Sequence, residues 1–413
     1  GKAFALVLKT DGNVLGWGNN SKGQLGENAV GSTVTAPVTI QGLSNITGIS
    51  AGSEHGFACN NNEKLFLWGN NKFGQLGDGT ETSRKSITEV VGLSDVVAVA
   101  TASDANYALK SDGTVWFWGS SEPDDSILDN VVRSSVPINM GLAGITAISA
   151  LQDHALALRN DGTVWAWGSN SFGELGNPLV TSKTFEPVQV LNLNHVVAVS
   201  AGNGFSLALK DDGTVWGWGY NSSGMLGNNS TSNSINPVQA QGLSNVIHIS
   251  AGGDHCLAIK GDGTVWGWGE NYNGQLGMGN RTNCLVPTQI SDFTDVSDVQ
   301  ARYMSSFALK NDGTVWIWGD IDLSTGGSIT NQLTPYQMPE LTDIQDIYIC
   351  AAHNFAKKAD GSLWAWGYNE YSQLGSGSTE EAIFTPFRVY EFGAPIMTAG
   401  WYNTVAVSEE GYV

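Results

Sequence analysis

Asp212-Gly213-Thr214-Val215-Trp216-Gly217-Trp218-Gly219 is one of eight variants of a single phrase in a chain of 413 residues. The other copies end at Trp17-Gly18, Trp68-Gly69, Trp118-Gly119, Trp167-Gly168, Trp268-Gly269, Trp318-Gly319 and Trp366-Gly367. Successive tryptophans stand 51, 50, 49, 51, 50, 50 and 48 residues apart. A fixed period of this length marks one supersecondary unit copied along the chain.

The unit around Trp218 reads as four short strands. Val196 to Gly202 is a β-branched run closed by glycine, and Phe205 to Lys210 is a second apolar run. Asp212-Gly213 lies between apolar runs, where glycine accepts a positive φ without a Cβ clash and so favours a hairpin. Thr214 to Trp218 is the third strand, with Trp216 and Trp218 on one face and Val215 and Gly217 on the other. A glycine-rich polar loop, Asn221 to Asn229, leads to Pro237-Val238-Gln239-Ala240, whose proline suits an edge strand. Four antiparallel strands per repeat are the pattern of a β-propeller blade, whose two faces are buried only by stacking on neighbours. Trp17, Trp68, Trp118, Trp167, Trp218, Trp268, Trp318 and Trp366 are accordingly expected to pack between blades.

The ends of the chain are complementary. Residues 1–40 hold the later part of a unit, and residues 395–413 hold the early part, with Pro395 to Gly400 as a first strand and Thr404 to Ser408 as a second. Together they are expected to supply one blade, removing two exposed edges. Because Phe4 to Leu8 is also a second strand, the count leaves three arrangements. These are an eight-bladed ring with one spare strand, a seven-bladed ring with extra terminal strands, and a filament in which the ends complement a neighbouring molecule. The number of copies favours eight blades in one repeat array over 1–413. Gly1 falls within a strand, so upstream residues are expected to have been removed.

Nineteen basic residues against 39 acidic ones leave a net charge of −20, which opposes nucleic acid and anionic membranes as partners. No run of eighteen apolar residues is present, so no membrane insertion is expected. Cys59, Cys256, Cys284 and Cys350 fall in four different repeats without C-x-x-C spacing, and neither metal nor other cofactor is expected. Abundant asparagine and scarce lysine point outside the cell or to its surface, with the cytoplasm as the alternative. His55, His154, His255 and His353 recur at one repeat position, as a structural hydrogen-bonding group would. The chain shows neither a G-x-S-x-G elbow nor a phosphate-binding G-x-x-x-x-G-K-S loop, so no catalytic residue is assigned. The loops after Trp118 and Trp318 lack the usual N-x-x-G-Q-L-G segment. They carry acidic residues without a calcium-loop pattern.

The tips after the first strands differ from copy to copy, and the fold does not require their side chains. Tyr303, Met304, Trp401 and Tyr402 form an aromatic portion there, beside Asp104, Asp153 and Asp254. Aromatic anchors with a polar rim are favoured at protein interfaces, so these residues are the candidate binding positions.

Ala251-Gly252-Gly253-Asp254-His255-Cys256-Leu257-Ala258-Ile259-Lys260, then Asp262 to Gly269, then Asn271-Tyr272-Asn273-Gly274-Gln275-Leu276-Gly277, resembles the repeat of the regulator of chromosome condensation family. The resemblance covers essentially the whole chain. It implies a β-propeller, commonly seven-bladed, and a nucleotide-exchange factor for a small GTPase that also contacts chromatin. This chain has no basic tail and no long insertion to act as an exchange wedge. The expected function is a non-catalytic scaffold binding protein or glycan through its loop tips. Self-assembly into a filament or surface layer, and GTPase exchange, are the alternatives.

Overall fold

The computed structural model describes residues 3–27, 29–61, 64–102, 104–121, 132–151, 154–321, 331–349, 353–391, 396–398 and 404–406. Regular structure among them is all strand, arranged as the eight blades of a β-propeller. The chain forms two compact units, Gly1–Ile145 with Gln345–Val413, and Thr146–Ile344. Each blade is named below by its buried tryptophan. The second unit holds the Trp167, Trp218, Trp268 and Trp318 blades, and the first holds the other four.

In the Trp218 blade the strands Val196–Ala201, Phe205–Lys210, Val215–Gly219 and Ser234–Gln239 lie side by side in chain order. Asp212 Oδ1 accepts from the Thr214 N–H at 2.9 Å and from its hydroxyl at 2.6 Å, closing the hairpin, while Gly213 takes φ +76°. The Trp-Gly ending has its own cause. The pairing to the fourth strand slips between Gly217 and Gly219, a β-bulge. Gly219 takes φ +100° there, and a Cβ would stand 2.6 Å from the Gly204 carbonyl oxygen. Side chains are therefore excluded after each buried tryptophan. Trp216, two residues earlier, is half-buried, with its indole N–H on the Thr214 hydroxyl at 3.1 Å and the Lys210 ammonium 5.6 Å above its ring.

The seams between blades are hydrogen-bonded as well as packed. Trp218 Nε1 donates to the Glu174 carbonyl of the preceding blade at 2.6 Å, and Trp268 and Trp318 donate likewise to Met225 and Gln275 at 2.7 and 2.8 Å. The loop offering each carbonyl is held by its buried asparagine: Asn271 Oδ1, for example, accepts the Leu276 N–H at 2.9 Å. The repeated histidine completes the joint. His255 Nε2 lies 2.9 Å from the Ser306 hydroxyl, which itself donates to the Gln275 carbonyl at 2.7 Å. His154, Ser206 and Glu174 repeat this arrangement, as do His55, Asn106 and Gln75 in the first unit. Because the serine proton is committed to the carbonyl, the histidine must carry its proton on Nε2 and donate.

In the first unit, Ile396–Thr398 pairs antiparallel with Phe4–Leu8, giving the Trp17 blade four strands. Thr404–Ala406, expected as the second strand of that blade, instead pairs with Val96–Ala102 and makes the Trp118 blade five-stranded. The second-strand place is already filled by the fully buried Phe4–Leu8, paired with Val14–Asn19 through five residues. The spare copy therefore takes a different edge.

One joint is incomplete. His353 is buried, and neither ring nitrogen has a hydrogen-bond partner among the described residues. The position that carries serine or asparagine in other blades is Ala5 in the Trp17 blade. Ala5→Ser would place a hydroxyl to accept from His353 and to donate to the Gln373 carbonyl, which already receives Trp17 Nε1 at 2.8 Å. The expected outcome is a gain of about 1 kcal/mol, read as a raised urea midpoint.

Candidate functional site

The second strand begins where the third ends, as in the pairing of His255 with Gly269. The first tip and the loop after Trp-Gly therefore open at the same end of a blade. A backbone bond clamps the two together: Glu270 N–H donates to the Asp254 carbonyl at 2.8 Å, Tyr220 to Gly204 at 2.8 Å, and Asp320 to Met304 at 2.9 Å. The ends of these blades are thus fixed platforms on which side chains can differ.

The second unit brings Asp254, Tyr303 and Met304 together. Gly253 lies against the Tyr303 backbone, where an added Cβ would stand 3.2 Å from its Cα. Asn273 donates to Met304 Sδ at 3.1 Å and accepts from the Asn331 amide at 3.0 Å, joining two blades across the rim. Tyr303 adopts φ +41°, an uncommon conformation for a bulky side chain. Burial raises the Asp254 carboxyl above its ordinary range. The Glu270 carboxyl is raised first by burial and then by the Asp254 charge.

Three aromatic residues outside the expected set join this rim. Phe172, 41% exposed, leans over the tip of the Trp218 blade, with its ring centroid 4.6 Å from that of Tyr220. Tyr272 is 61% exposed, and its backbone carbonyl accepts from Arg281 at 2.7 Å. Phe172 and Tyr272 occupy the variable positions of the N-x-x-G loop. The divergence that singled out the tips was equally present there.

Asp104, in the first unit, is half-buried and has its carboxylate in a contact between blades. Its Oδ1 accepts from the Gln75 amide at 2.9 Å, and its carbonyl accepts from the Ser120 N–H at 3.0 Å, so it joins the Trp68 and Trp118 blades. Its carboxylate is engaged because the Gln75 loop reaches across the seam. Asp153, Trp401, Tyr402, Cys350 and most of the two acidic loops lie outside the described residues. Trp17, Trp68, Trp118, Trp218, Trp268 and Trp318 are completely buried, and Trp167 and Trp366 nearly so. Cys59 and Cys256 are buried free thiols and Cys284 is a partly buried one. Burial holds His55, His154 and His255 down at about 4.

A family model described as the RCC1-like domain matches residues 121–406. The regulator of chromosome condensation (RCC1) repeat matches residues 11–59 and 62–109. Human protein RCC2 is 42% identical over 82 residues, which are 19% of this chain and 16% of RCC2. Among solved structures, yeast RCC1 (Prp20) bound to Kap60 is similar with a TM-score of 0.63 and 22% identity, over 84% of this chain and 86% of that one. Human WBSCR16 is similar with a TM-score of 0.63 and 21% identity, over 97% of each chain. At these identities the structural likeness establishes the fold alone.

Proposed function

The chain belongs to the RCC1-like domain family, and from that premise we propose that it is a non-catalytic scaffold that binds a protein partner through the aromatic rim of its second unit. One observation carries this reading. The recurring residues are consumed internally at the seams, whereas Phe172, Tyr272, Tyr303 and Met304 are left 41, 61, 36 and 47% exposed, the last three beside clamped tips. Rigid aromatic anchors of this kind carry binding energy at little entropic cost. The repeated histidines are buried and neutral, which removes them as surface bases. The acidic balance of −20 favours a partner with a basic or neutral contact face, and a setting outside the cell or on its surface is part of the proposal.

The test is the affinity for any recovered partner of the wild type and of Phe172→Ala combined with Tyr303→Ala. Both side chains are partly exposed, so the fold is expected to persist. A loss of about 2 kcal/mol or more in binding is expected. An unchanged affinity would remove the rim from the reading. Assembly by strand exchange is a second reading, favoured by Thr404–Ala406 sitting as an added strand on the Trp118 blade. It predicts light scattering that rises with concentration, and monomers throughout would end it. Nucleotide exchange is carried by the family alone, and unaltered nucleotide release from a panel of small GTPases would exclude it.

A further inference from the structure

The Trp268 blade, where it faces the Trp318 blade, departs from the Trp218 blade before it. Within three other blades the residue just after the fourth strand sends its N–H back to the glycine that ends the loop before that strand. Val91 bonds Gly77, Leu191 bonds Gly176, and Gln241 bonds Gly227, at 3.3, 3.0 and 2.9 Å. Gln241 adds a side-chain bond to the Asn228 carbonyl at 3.1 Å. The equivalent residue in the Trp268 blade is Ser291, too short to repeat that bridge, and its N–H makes no such bond to Gly277 among the described residues. A groove of about 500 Å³ opens there, bordered by Gly277, Met278, Ser291 and Asp292.

Two further departures shape it. Asp292 stands where Gly242 stands in the preceding blade, at φ +56°, and presents a carboxylate at the groove edge. Phe293 replaces the leucine of the other copies, such as Leu243. Its ring meets Trp316 edge-on at 5.4 Å, and the Lys310 ammonium lies 5.4 and 5.6 Å from the two ring centroids. The floor is therefore a fixed aromatic pair with one cation. The polar residues of its lining include Ser291, Gln289 and Asp292.

We propose that this groove binds a neutral saccharide of a few rings. Its volume suits a small ligand and is too small for a folded partner. Its lining carries a hydroxyl, an amide and a carboxylate, a mixture of donors and acceptors that suits hydroxyl groups able to act as both. The half-buried Trp316 offers the apolar contact that a sugar ring face can use. The net charge of −20 disfavours an anionic ligand over a neutral one. The site is independent of the aromatic rim, and either assignment can fail without the other.

Saturation-transfer NMR on the full chain with maltotriose, cellotriose, chitotriose and N-acetyllactosamine tests the proposal. At least one of these is expected to bind. Ser291→Gln, which restores the residue of the preceding blade, is expected to weaken that binding by about tenfold or more with the melting temperature preserved. Asp292→Gly is a second variant that relieves a left-handed backbone, and it is expected to weaken binding as well. Tyr303→Ala, on the rim, is expected to leave it unchanged. Absence of transfer from all four sugars, or equal binding by the wild type and both groove variants, would overturn the proposal.

Discussion

Trp268→Ala is expected to lower stability by about 3–5 kcal/mol, measured by urea unfolding. The indole is completely buried. It packs with Phe205, Leu226 and Ala240 from the preceding repeat. Its removal leaves a cavity at the seam and strips the Met225 carbonyl of the indole donor at 2.7 Å. Trp268→Phe separates the two contributions. It retains most of the ring volume and loses the bond, so about 1–2 kcal/mol of the loss is expected to remain. Trp266→Ala is the internal comparison. That side chain is half-buried, with its N–H on the Thr264 hydroxyl of its own blade. A smaller loss is expected there, and equal losses for Trp266→Ala and Trp268→Ala would contradict the seam account.

The second large effect is a loss of stability in mild acid. His55, His154 and His255 are buried and held from 6.5 down to about 4, chiefly by burial. Their folded-state values lie below those of the unfolded chain. As pH falls through 6.5 the unfolded chain takes up protons that the folded chain refuses, so stability drops until about pH 4, where both forms are charged. Each histidine accounts for at most about 3 kcal/mol across that window. Urea midpoints measured between pH 7.5 and 4.5 should fall steadily, and His255→Gln should remove about one proton from the slope. Midpoints flat through this range would refute the assignment. The turn carboxylates act in a lower window. Asp212, Asp262 and Asp312 are held below 3.8, first by their threonine hydroxyls, so their contribution is present above that value and lost as pH falls further.

These effects share one structural cause. At the Trp118, Trp218 and Trp318 blades a loop carbonyl of the preceding blade accepts from the tryptophan and from a serine or asparagine that is tied back to a histidine, while at Trp268 the second donor is the Cys256 thiol. Blade stacking is therefore directional, and a ring contact alone would leave neighbouring sheets free to slide. Buried hydrogen bonds with fixed directions of this kind favour one packing. The Trp366 and Trp17 blades show the consequence of one missing member, where His353 has Ala5 opposite it and remains unpartnered among the described residues.

The amino-acid sequence alone determined the repeat, the strand order within a blade, the Asp-Gly hairpins and the burial of one tryptophan per copy. All follow from local rules: alternation along a strand, the φ freedom of glycine, and a period that repeats eight times. It also marked Tyr303, Met304 and Asp254, because divergence at a fixed repeat position is visible without coordinates. Only the tertiary structure decided that Asp104 joins two blades, that Thr404–Ala406 joins a blade other than the one completed by Ile396–Thr398, and that Phe172 and Tyr272 belong to the rim. The same holds for the groove at Ser291, whose lining comes from two repeats, with Phe293 of one against Trp316 of the next. Each of these depends on which residues of different repeats meet across a seam, and a one-dimensional period does not encode that meeting.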